Sequence, residues 1–494
     1  MKKISFLIVY ITVLSILLIN TPMRVSANSP GIPSDIPYIL IDSKTGVVLA
    51  GQHADERYGP ASTTKIMTAI LALEKGDLNK EMMVSEAAVN DIGRGGMNIG
   101  IMAGEKGLTL ENLLNVMLIK SANETANIIA ENIAPTRKDF VAMMNQKAKD
   151  IGAVNTTFIN PCGKDTEKDD AGHLTTPRDL AMISRYAMTI PKFREIVSTE
   201  YYKNMPVTDK HDDWGMLRNT NQFLWYDNTY PYTLNDADHK YTVIGVKTGY
   251  TAKAGNNLVT AAVGEDGAEL IAVVMHVMQP NKIYGYSKEI LRYGFENFST
   301  VKISEAGQIA GSIPVEGAKD AGTLLSLTEK TGFSCVLPIV TDIKSIETKL
   351  DIPRKIKAPV KKGDVIGTVE YINKGVSLGK ADLVAAGSVE AAPKAEAGTS
   401  AGNASKSMEP GYSWFILGIL VFFSLVVALR PIMRRLSRKL KKRKSEVGRP
   451  DTEESQKGLE ETQPDIDEEQ DSEKLRRIIK GEEPDTDGMQ QDNE

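Results

Sequence analysis

The amino-acid sequence predicts an α+β fold in which an antiparallel sheet is covered by helices, followed by a small all-β domain and one C-terminal transmembrane helix. Strand-like runs stand at both ends of residues 36–299, and helical periodicity lies between them. Short β-type runs alternate with turn-forming residues in 300–385. A charge-free apolar segment over residues 414–429 approaches the ~17–20 residues that cross a bilayer.

The N terminus has the order of a secretory signal peptide. A pair of lysines precedes an apolar run over residues 6–19, and small residues lead up to Ala27. We expect cleavage after Ala27, so that residues 1–27 are the signal peptide. The alternative is an uncleaved membrane anchor.

Residues 28–299 form the first predicted domain. Two strands open it, four helical stretches follow, and three strands and a helix close it. In chain order these lie at 38–41, 47–49, 63–73, 110–133, 136–151, 177–188, 243–246, 257–263, 269–278 and 282–296. Strands at both ends with helices between them indicate one antiparallel sheet built from the terminal segments.

The composition of residues 300–494 divides this part of the chain into four segments. Residues 300–385 form the small all-β domain, with β-type runs at 307–314, 323–327, 334–340 and 365–372. Residues 386–411 are a linker rich in Ala, Gly and Ser. The predicted transmembrane helix covers 412–429. Ten Lys or Arg residues directly follow it, and positive flanks stay in the cytoplasm. Residues 430–494 are therefore expected to be a basic juxtamembrane segment and an acidic, disordered cytoplasmic tail of unknown partner.

This topology predicts a single-pass protein of the cell membrane whose larger part lies outside the cytoplasm. The net charge of −5 averages a basic segment, an acidic tail and a nearly balanced exported part. No basic groove for nucleic acid is recognisable. The two cysteines, Cys162 and Cys335, are too few for a disulfide framework, and two free thiols are favoured over one bridge.

The pattern Ser-x-x-Lys occurs three times, at Ser62, Ser299 and Ser377. Only Ser62 stands where a helix begins, and there unpaired N–H groups favour developing negative charge. Residues three apart share a helix face, so Lys65 can lie beside Ser62. Lys65 can act as a base if burial and a second cation lower its pKa. The alternative is a serine N-cap with a solvated lysine.

Two further elements have polar residues in apolar surroundings. Ser121 and Asn123 interrupt the helical stretch at 110–133, where buried polar groups need partners; they could equally form a kink between two helices. Lys247, Thr248 and Gly249 end a predicted core strand, where they could bind a carboxylate, or simply form a surface turn. Lys247 is also the expected second cation near the serine and lysine pair.

Together, the three motifs resemble those of penicillin-binding proteins and class A β-lactamases. The runs NPCG at 160–163, TTPRDLAMISRYA at 175–187, NTNQFLW at 219–225 and VKTGYTAKAGNNLVTAA at 246–262 extend the likeness. On these runs the chain is identified as a low-molecular-mass penicillin-binding protein, a D-alanyl-D-alanine carboxypeptidase of the S11 serine peptidase family. The resemblance covers residues 36–293 and implies a β-lactamase/transpeptidase-like first domain.

The resemblance implies an acyl-enzyme mechanism without a cofactor. Lys65 would take the proton of Ser62, which attacks the penultimate D-alanine of a peptidoglycan stem pentapeptide. Backbone N–H groups of Ser62 and Tyr250 would form the oxyanion hole, and Ser121 would pass a proton to the leaving D-alanine. Penicillin and other β-lactams would acylate the same serine.

The remaining motif residues are implied in substrate binding. Asn123 would hold the peptide, and Lys247 with Thr248 would bind the terminal carboxylate. Gly249 would let the backbone approach closely, and Tyr250 follows it along the strand. Cys162 adds a thiol near the site with no implied role.

Three alternatives remain open. A β-lactamase would use a glutamate in a Glu-x-x-Leu-Asn loop, for which Glu200 is a near match with lysine in place of leucine. A zinc carboxypeptidase would need paired ligands, but the histidines lack such spacing, and His173 is expected to be a hydrogen-bonded structural residue. A non-enzymatic sensor would be acylated at Ser62 and signal through the membrane helix.

Overall fold

The protein is described by a computed structural model over residues 29–92, 96–165, 172–225 and 241–393. The predicted signal peptide, transmembrane helix and cytoplasmic tail lie outside these residues, as does most of the predicted linker. Within the described ranges, no helix is long and apolar enough to cross a membrane.

Helices and strands follow the predicted order. The α-helices of the described residues are α1 (Lys65–Lys75), α2 (Glu86–Asn90), α3 (Leu110–Ile119), α4 (Asn123–Ile133), α5 (Arg137–Ile151), α6 (Pro177–Met188), α7 (Pro191–Val197) and α8 (Ile283–Asn297). The strands of the first domain are β1 (Tyr38–Asp42), β2 (Val48–Gln52), β3 (Tyr201–Tyr202), β4 (Leu217–Arg218), β5 (Tyr241–Thr251), β6 (Gly255–Gly264) and β7 (Glu269–Val277).

One antiparallel sheet of five strands organises the first domain, in the order β2-β1-β7-β6-β5. Its two N-terminal strands pair with strands from the far end of the domain, which confirms the predicted sheet of terminal segments. Successive side chains of a strand point to opposite faces. Ile39 therefore belongs to the core shared with α1 and α3–α6, whereas Leu40 belongs to the core under α8.

The all-β domain contains β8 (Phe298–Lys302), β9 (Ile309–Glu316), β10 (Leu324–Glu329), β11 (Ser334–Pro338), β12 (Glu347–Asp351), β13 (Ile356–Lys357), β14 (Val365–Asn373) and β15 (Val376–Ala385). Six of these strands form a sheet in the order β12-β14-β15-β10-β9-β13, and β11 pairs with β8. The sequence did not predict β12, because all five of its side chains are exposed and no apolar alternation marks it.

Pairing continues beyond residue 385, where the sequence placed the start of the linker. Val389 forms a bridge with Val360, and Ala391 forms one with Ala318. The two domains also contact each other directly: Asp42 Oδ2 accepts a hydrogen bond from Val336 N at 3.2 Å. The predicted boundary between 299 and 300 falls within β8, so this strand joins both domains.

Candidate active site

Ser62 lies in a short 3-10 helix, Ala61–Thr64, that leads directly into α1. The N-cap residue of α1 is Thr64, and no side chain caps this helix end. The Ser62 hydroxyl instead accepts a hydrogen bond from Lys65 Nζ at 3.0 Å. The serine N-cap alternative is therefore wrong, since the partner of Ser62 is the lysine one turn later.

Lys65 is completely buried, with 0% of its surface exposed. Besides Ser62, its ammonium group donates to Asn123 Oδ1 at 2.7 Å and to the backbone carbonyl of Cys162 at 2.7 Å. Burial lowers the pKa of Lys65 to about 8, against the attraction of Cys162 and Glu124. At pH 7 roughly one molecule in ten then holds a neutral amine, which is the form that accepts a proton.

Ser121 breaks the helical stretch that the sequence predicted over 110–133. Its backbone is left-handed, with φ of 62°, so that α3 ends at Ile119 and α4 begins at Asn123. A non-glycine residue in this region costs on the order of 1 kcal/mol or more, and such residues cluster at functional sites. The break brings the Ser121 side chain to the cavity wall, while Asn123 faces Lys65.

Gly249 on β5 packs against the 3-10 helix of the serine. A Cβ at this position would lie 3.1 Å from Ser62 N and 3.0 Å from both Thr63 N and Pro60 O. Only glycine fits this approach without displacing the backbone. The edge strand β5 therefore lies directly beside the backbone N–H group of Ser62.

Lys247 is 1% exposed and does not belong to the residues that line the cavity. Its Nζ donates to the carbonyl of Thr248 at 3.1 Å. Burial, together with the positive charge of Lys65, holds the pKa of Lys247 well below its usual value. The sequence predicted that Lys247 lowers the pKa of Lys65. In the structure burial lowers the pKa of Lys65, and the repulsion between the two lysines lowers the pKa of Lys247 instead.

Most of the motif residues line one cavity of about 1050 Å³, while Lys65 and Lys247 lie outside its lining. Its lining includes Ser62, Ser121, Asn123, Thr248, Gly249 and Tyr250, of which Tyr250 is 62% exposed. Two residues without a sequence-derived role join them, Thr220 and Gln222. The Thr220 and Thr248 hydroxyls are 2.7 Å apart. Thr220 and Gln222 both lie within the NTNQFLW run, so the resemblance of this run to the family was the sequence signal that could have pointed to them.

Tyr284 fixes this part of the wall. Its hydroxyl donates to the carbonyl of Thr220 at 3.1 Å and accepts from Gln222 N at 3.2 Å. Burial raises the pKa of Tyr284 to about 12, so it stays protonated and able to donate. The segment that carries Thr220 is thereby fixed to the start of α8.

The residues that the β-lactamase and zinc carboxypeptidase alternatives would need do not line the cavity. Glu200 pairs with Arg218 at 3.0 Å and does not line the cavity, which agrees with a chance match to the β-lactamase pattern. His173 bonds with Thr64 Oγ1 at 2.8 Å and accepts from Ile159 N at 3.0 Å, which confirms its structural role. The described residues contain no cluster of three or more His, Cys, Asp or Glu that could hold a metal.

The unused motif copies and the cysteines are also accounted for. Ser377 donates to Glu370 at 2.7 Å on the all-β domain, and Ser299 lies in β8, away from the cavity lining. Cys162 and Cys335 are free and buried, which confirms the prediction of two thiols. Cys162 contributes its backbone carbonyl to Lys65, a role that no side-chain pattern could reveal.

A serine bonded to a buried lysine, with a second serine and an asparagine facing them, defines a serine acyl-transfer hydrolase. The family model Peptidase S11, D-alanyl-D-alanine carboxypeptidase, matches residues 23–279. The chain therefore belongs to the peptidase S11 family and is a serine-type D-Ala-D-Ala carboxypeptidase of the penicillin-binding protein class. A second model, the C-terminal domain of penicillin-binding protein 5, matches residues 298–391.

Individual relatives agree with the family. D-alanyl-D-alanine carboxypeptidase DacF of Bacillus subtilis is 29% identical over 350 residues, which cover 70% of this chain and 84% of that protein. DacC of Escherichia coli is 29% identical over 373 residues, covering 72% and 84%. The crystal structure of penicillin binding protein 5 from Haemophilus influenzae matches with a TM-score of 0.57 and 26% identity, over 73% of this chain and 99% of that one.

Proposed function

We propose that Ser62 is the nucleophile and Lys65 its general base in removing the terminal D-alanine from peptidoglycan stem pentapeptides. The observation that supports this most is the 3.0 Å hydrogen bond between Lys65 Nζ and Ser62 Oγ, in a place where burial lowers the lysine pKa to about 8. A serine needs a nearby base to react at neutral pH. A lysine of ordinary pKa would be neutral in only about one molecule in 3,000 at pH 7.

In acylation, neutral Lys65 takes the hydroxyl proton as Ser62 Oγ bonds to the carbonyl carbon of the penultimate D-alanine. The developing oxyanion is stabilised by the N–H groups of Ser62 and Tyr250, each worth ~3–4 kcal/mol in comparable hydrolases. The C–N bond then breaks, and Ser121 passes a proton to the departing amine of D-alanine. Water attacks the acyl-enzyme ester and restores the free serine.

Substrate binding is assigned to the cavity walls. Asn123 holds the peptide while it orients Lys65. Thr248, together with Thr220, contacts the terminal carboxylate through hydroxyl groups. Lys247 assists from its buried position, where its Nζ donates to the Thr248 carbonyl. A substrate carboxylate favours the protonated form of this lysine.

β-Lactams acylate Ser62 by the same first step. The amide bond that Ser62 breaks is part of the β-lactam ring. The leaving amine therefore stays attached to the acyl group and keeps its place in the cavity. Among the described residues, none that lines the cavity matches a β-lactamase deacylating glutamate, since Glu200 lies outside the lining. We therefore expect slow release of penicillin.

We further propose that residues 1–27 direct export and that residues 412–429 span the cell membrane once. The catalytic and all-β domains then lie outside the cytoplasm, and residues 430–494 lie inside. The charge-free span and the ten basic residues that follow it support this orientation. The family supports the enzymatic function over the sensor alternative.

The test is to label the full-length protein with a fluorescent penicillin and to measure D-alanine release from a pentapeptide. We expect one labelled serine, identified by mass spectrometry as Ser62, and release that penicillin blocks. Labelling elsewhere, or release that persists after full labelling, would contradict the proposal. In cells without a wall, external protease should remove the catalytic domain and spare an epitope after Asp451; digestion of that epitope would contradict the topology.

A further inference from the structure

Glu124 is a buried carboxylate that the mechanism above does not use. It follows Asn123 in the first turn of α4 and is 1% exposed. Its Oε1 accepts a hydrogen bond from Ile99 N at 2.7 Å, whereas Oε2 has no hydrogen-bond partner in the part of the chain that the structure describes. Burying a partly paired carboxylate is costly, which indicates a role beyond packing.

The Glu124 hydrogen bond holds the loop over residues 96–100. One end of this loop lines the catalytic cavity, and the other lines a second cavity of about 370 Å³ that Glu124 also lines. Asn123 N donates to the carbonyl of Met97 at 2.8 Å, and Glu124 accepts from Ile99 two residues later. Consecutive residues of α4 thus fix this wall loop at two points.

The charge of Glu124 also acts on the catalytic base. Its attraction raises the pKa of Lys65, against the larger lowering by burial. Among the described residues, the charged groups near this pair include Glu86 of α2 across the second cavity, Lys247 of β5, which Lys65 repels, and Asp91 with Lys164 on the wall of the catalytic cavity. Burial raises the pKa of Glu124, while the N–H of Ile99 lowers it, as does its place in the first turn of a helix.

We propose that Glu124 is a positioning residue for the catalytic pair, whose carboxylate anchors the loop over residues 96–100 beside Asn123. This inference depends on the proposed roles of Ser62 and Lys65. Because the charge of Glu124 raises the pKa of Lys65, it also contributes to the lower pH limit of acylation. Without its charge, Lys65 loses its proton more readily, and acylation extends to lower pH.

The experiment compares three variants of the full-length protein by the rate of acylation with a fluorescent penicillin between pH 5 and 10. Glu124→Gln removes the charge but keeps an oxygen acceptor for Ile99. Glu124→Asp keeps the charge on a side chain one methylene shorter. Glu131→Gln is the matched control, because Glu131 lies on the same helix but pairs with Arg137. Thermal melting of each variant checks its fold.

The acid limb is the part of the profile of acylation rate against pH in which the rate falls as the pH is lowered. We expect this limb to move to lower pH by roughly 0.5–1 unit in Glu124→Gln, while Glu124→Asp and the control stay close to wild type. Glu124→Asp should instead raise KM for the pentapeptide, because the wall loop loses an anchor. An unmoved or upward limb in Glu124→Gln, or equal shifts in both Glu124 variants, would overturn the proposal. If wild-type protein is not labelled at Ser62, the proposed function itself fails.

Discussion

Asn123→Asp tests whether acylation depends on the low pKa of Lys65, the proposed base. The substitution is nearly isosteric and places a carboxylate oxygen where Asn123 Oδ1 now accepts from Lys65 Nζ at 2.7 Å. An opposite charge this close raises the pKa of a lysine by roughly 1–3 units. Starting from a pKa of about 8, the base would then lose its proton only well above the neutral range.

The expected loss in rate follows from the population of neutral lysine. Because that population falls tenfold for each unit by which the pKa exceeds the pH, acylation at pH 7 should drop by roughly 10- to 1,000-fold. The acid limb of the acylation profile should move upward by at least one unit. Rates near pH 10 should recover much of the difference.

The assay is the second-order rate of acylation by a fluorescent penicillin, measured from pH 6 to pH 10.5. Recovery at high pH separates the electrostatic effect from a loss of substrate contact. If Asn123→Asp lowers the rate equally at every pH and leaves the acid limb near 8, the variant acts through binding alone. The assignment of Lys65 as the titrating base would then be refuted.

Three further variants test residues of the site, and two serine variants outside it serve as controls. Ser62→Ala should abolish both penicillin labelling and D-alanine release, whereas Ser299→Ala and Ser377→Ala should change neither; persistent labelling of the first would exclude it as the nucleophile. Lys247→Ala should weaken peptide hydrolysis but leave the acid limb near its wild-type position, since the repulsion acts on Lys247; an upward shift would show that Lys247 lowers the pKa of the base. Gly249→Ala should slow acylation by on the order of 100-fold, because its Cβ would lie 3.1 Å from Ser62 N, a proposed donor of the oxyanion hole. An unchanged rate would show that the added Cβ does not disturb this donor.

The sequence was sufficient for the sheet and for the motif side chains. Strand alternation and helical periodicity are local signals, and they placed α6 at its observed bounds of Pro177–Met188. The three motifs identify side chains whose chemistry is unusual in apolar surroundings. Their convergence on one cavity follows from the order of segments in a single antiparallel sheet, in which β5 is the edge strand beside the serine.

The backbone contributions could not be predicted in this way. The carbonyl of Cys162 holds Lys65, but every residue type has a carbonyl, so the sequence carries no mark of it. The left-handed backbone of Ser121 is likewise imposed by the surrounding structure, because serine has no intrinsic preference for that region. Thr220 lies at the cavity in a segment that is held by Tyr284 and by the hydrogen bond from Thr220 N to the carbonyl of Ile119.

Burial explains why the two lysines were harder to assign than the serine. A pKa depends on everything within several ångströms, and the groups around Lys65 come from three separate segments, at Ser62, Asn123 and Cys162. Two ammonium groups packed this closely cannot both keep a proton at little cost. One of the two, Lys247, therefore yields its proton more easily, whereas Lys65 keeps a pKa of about 8.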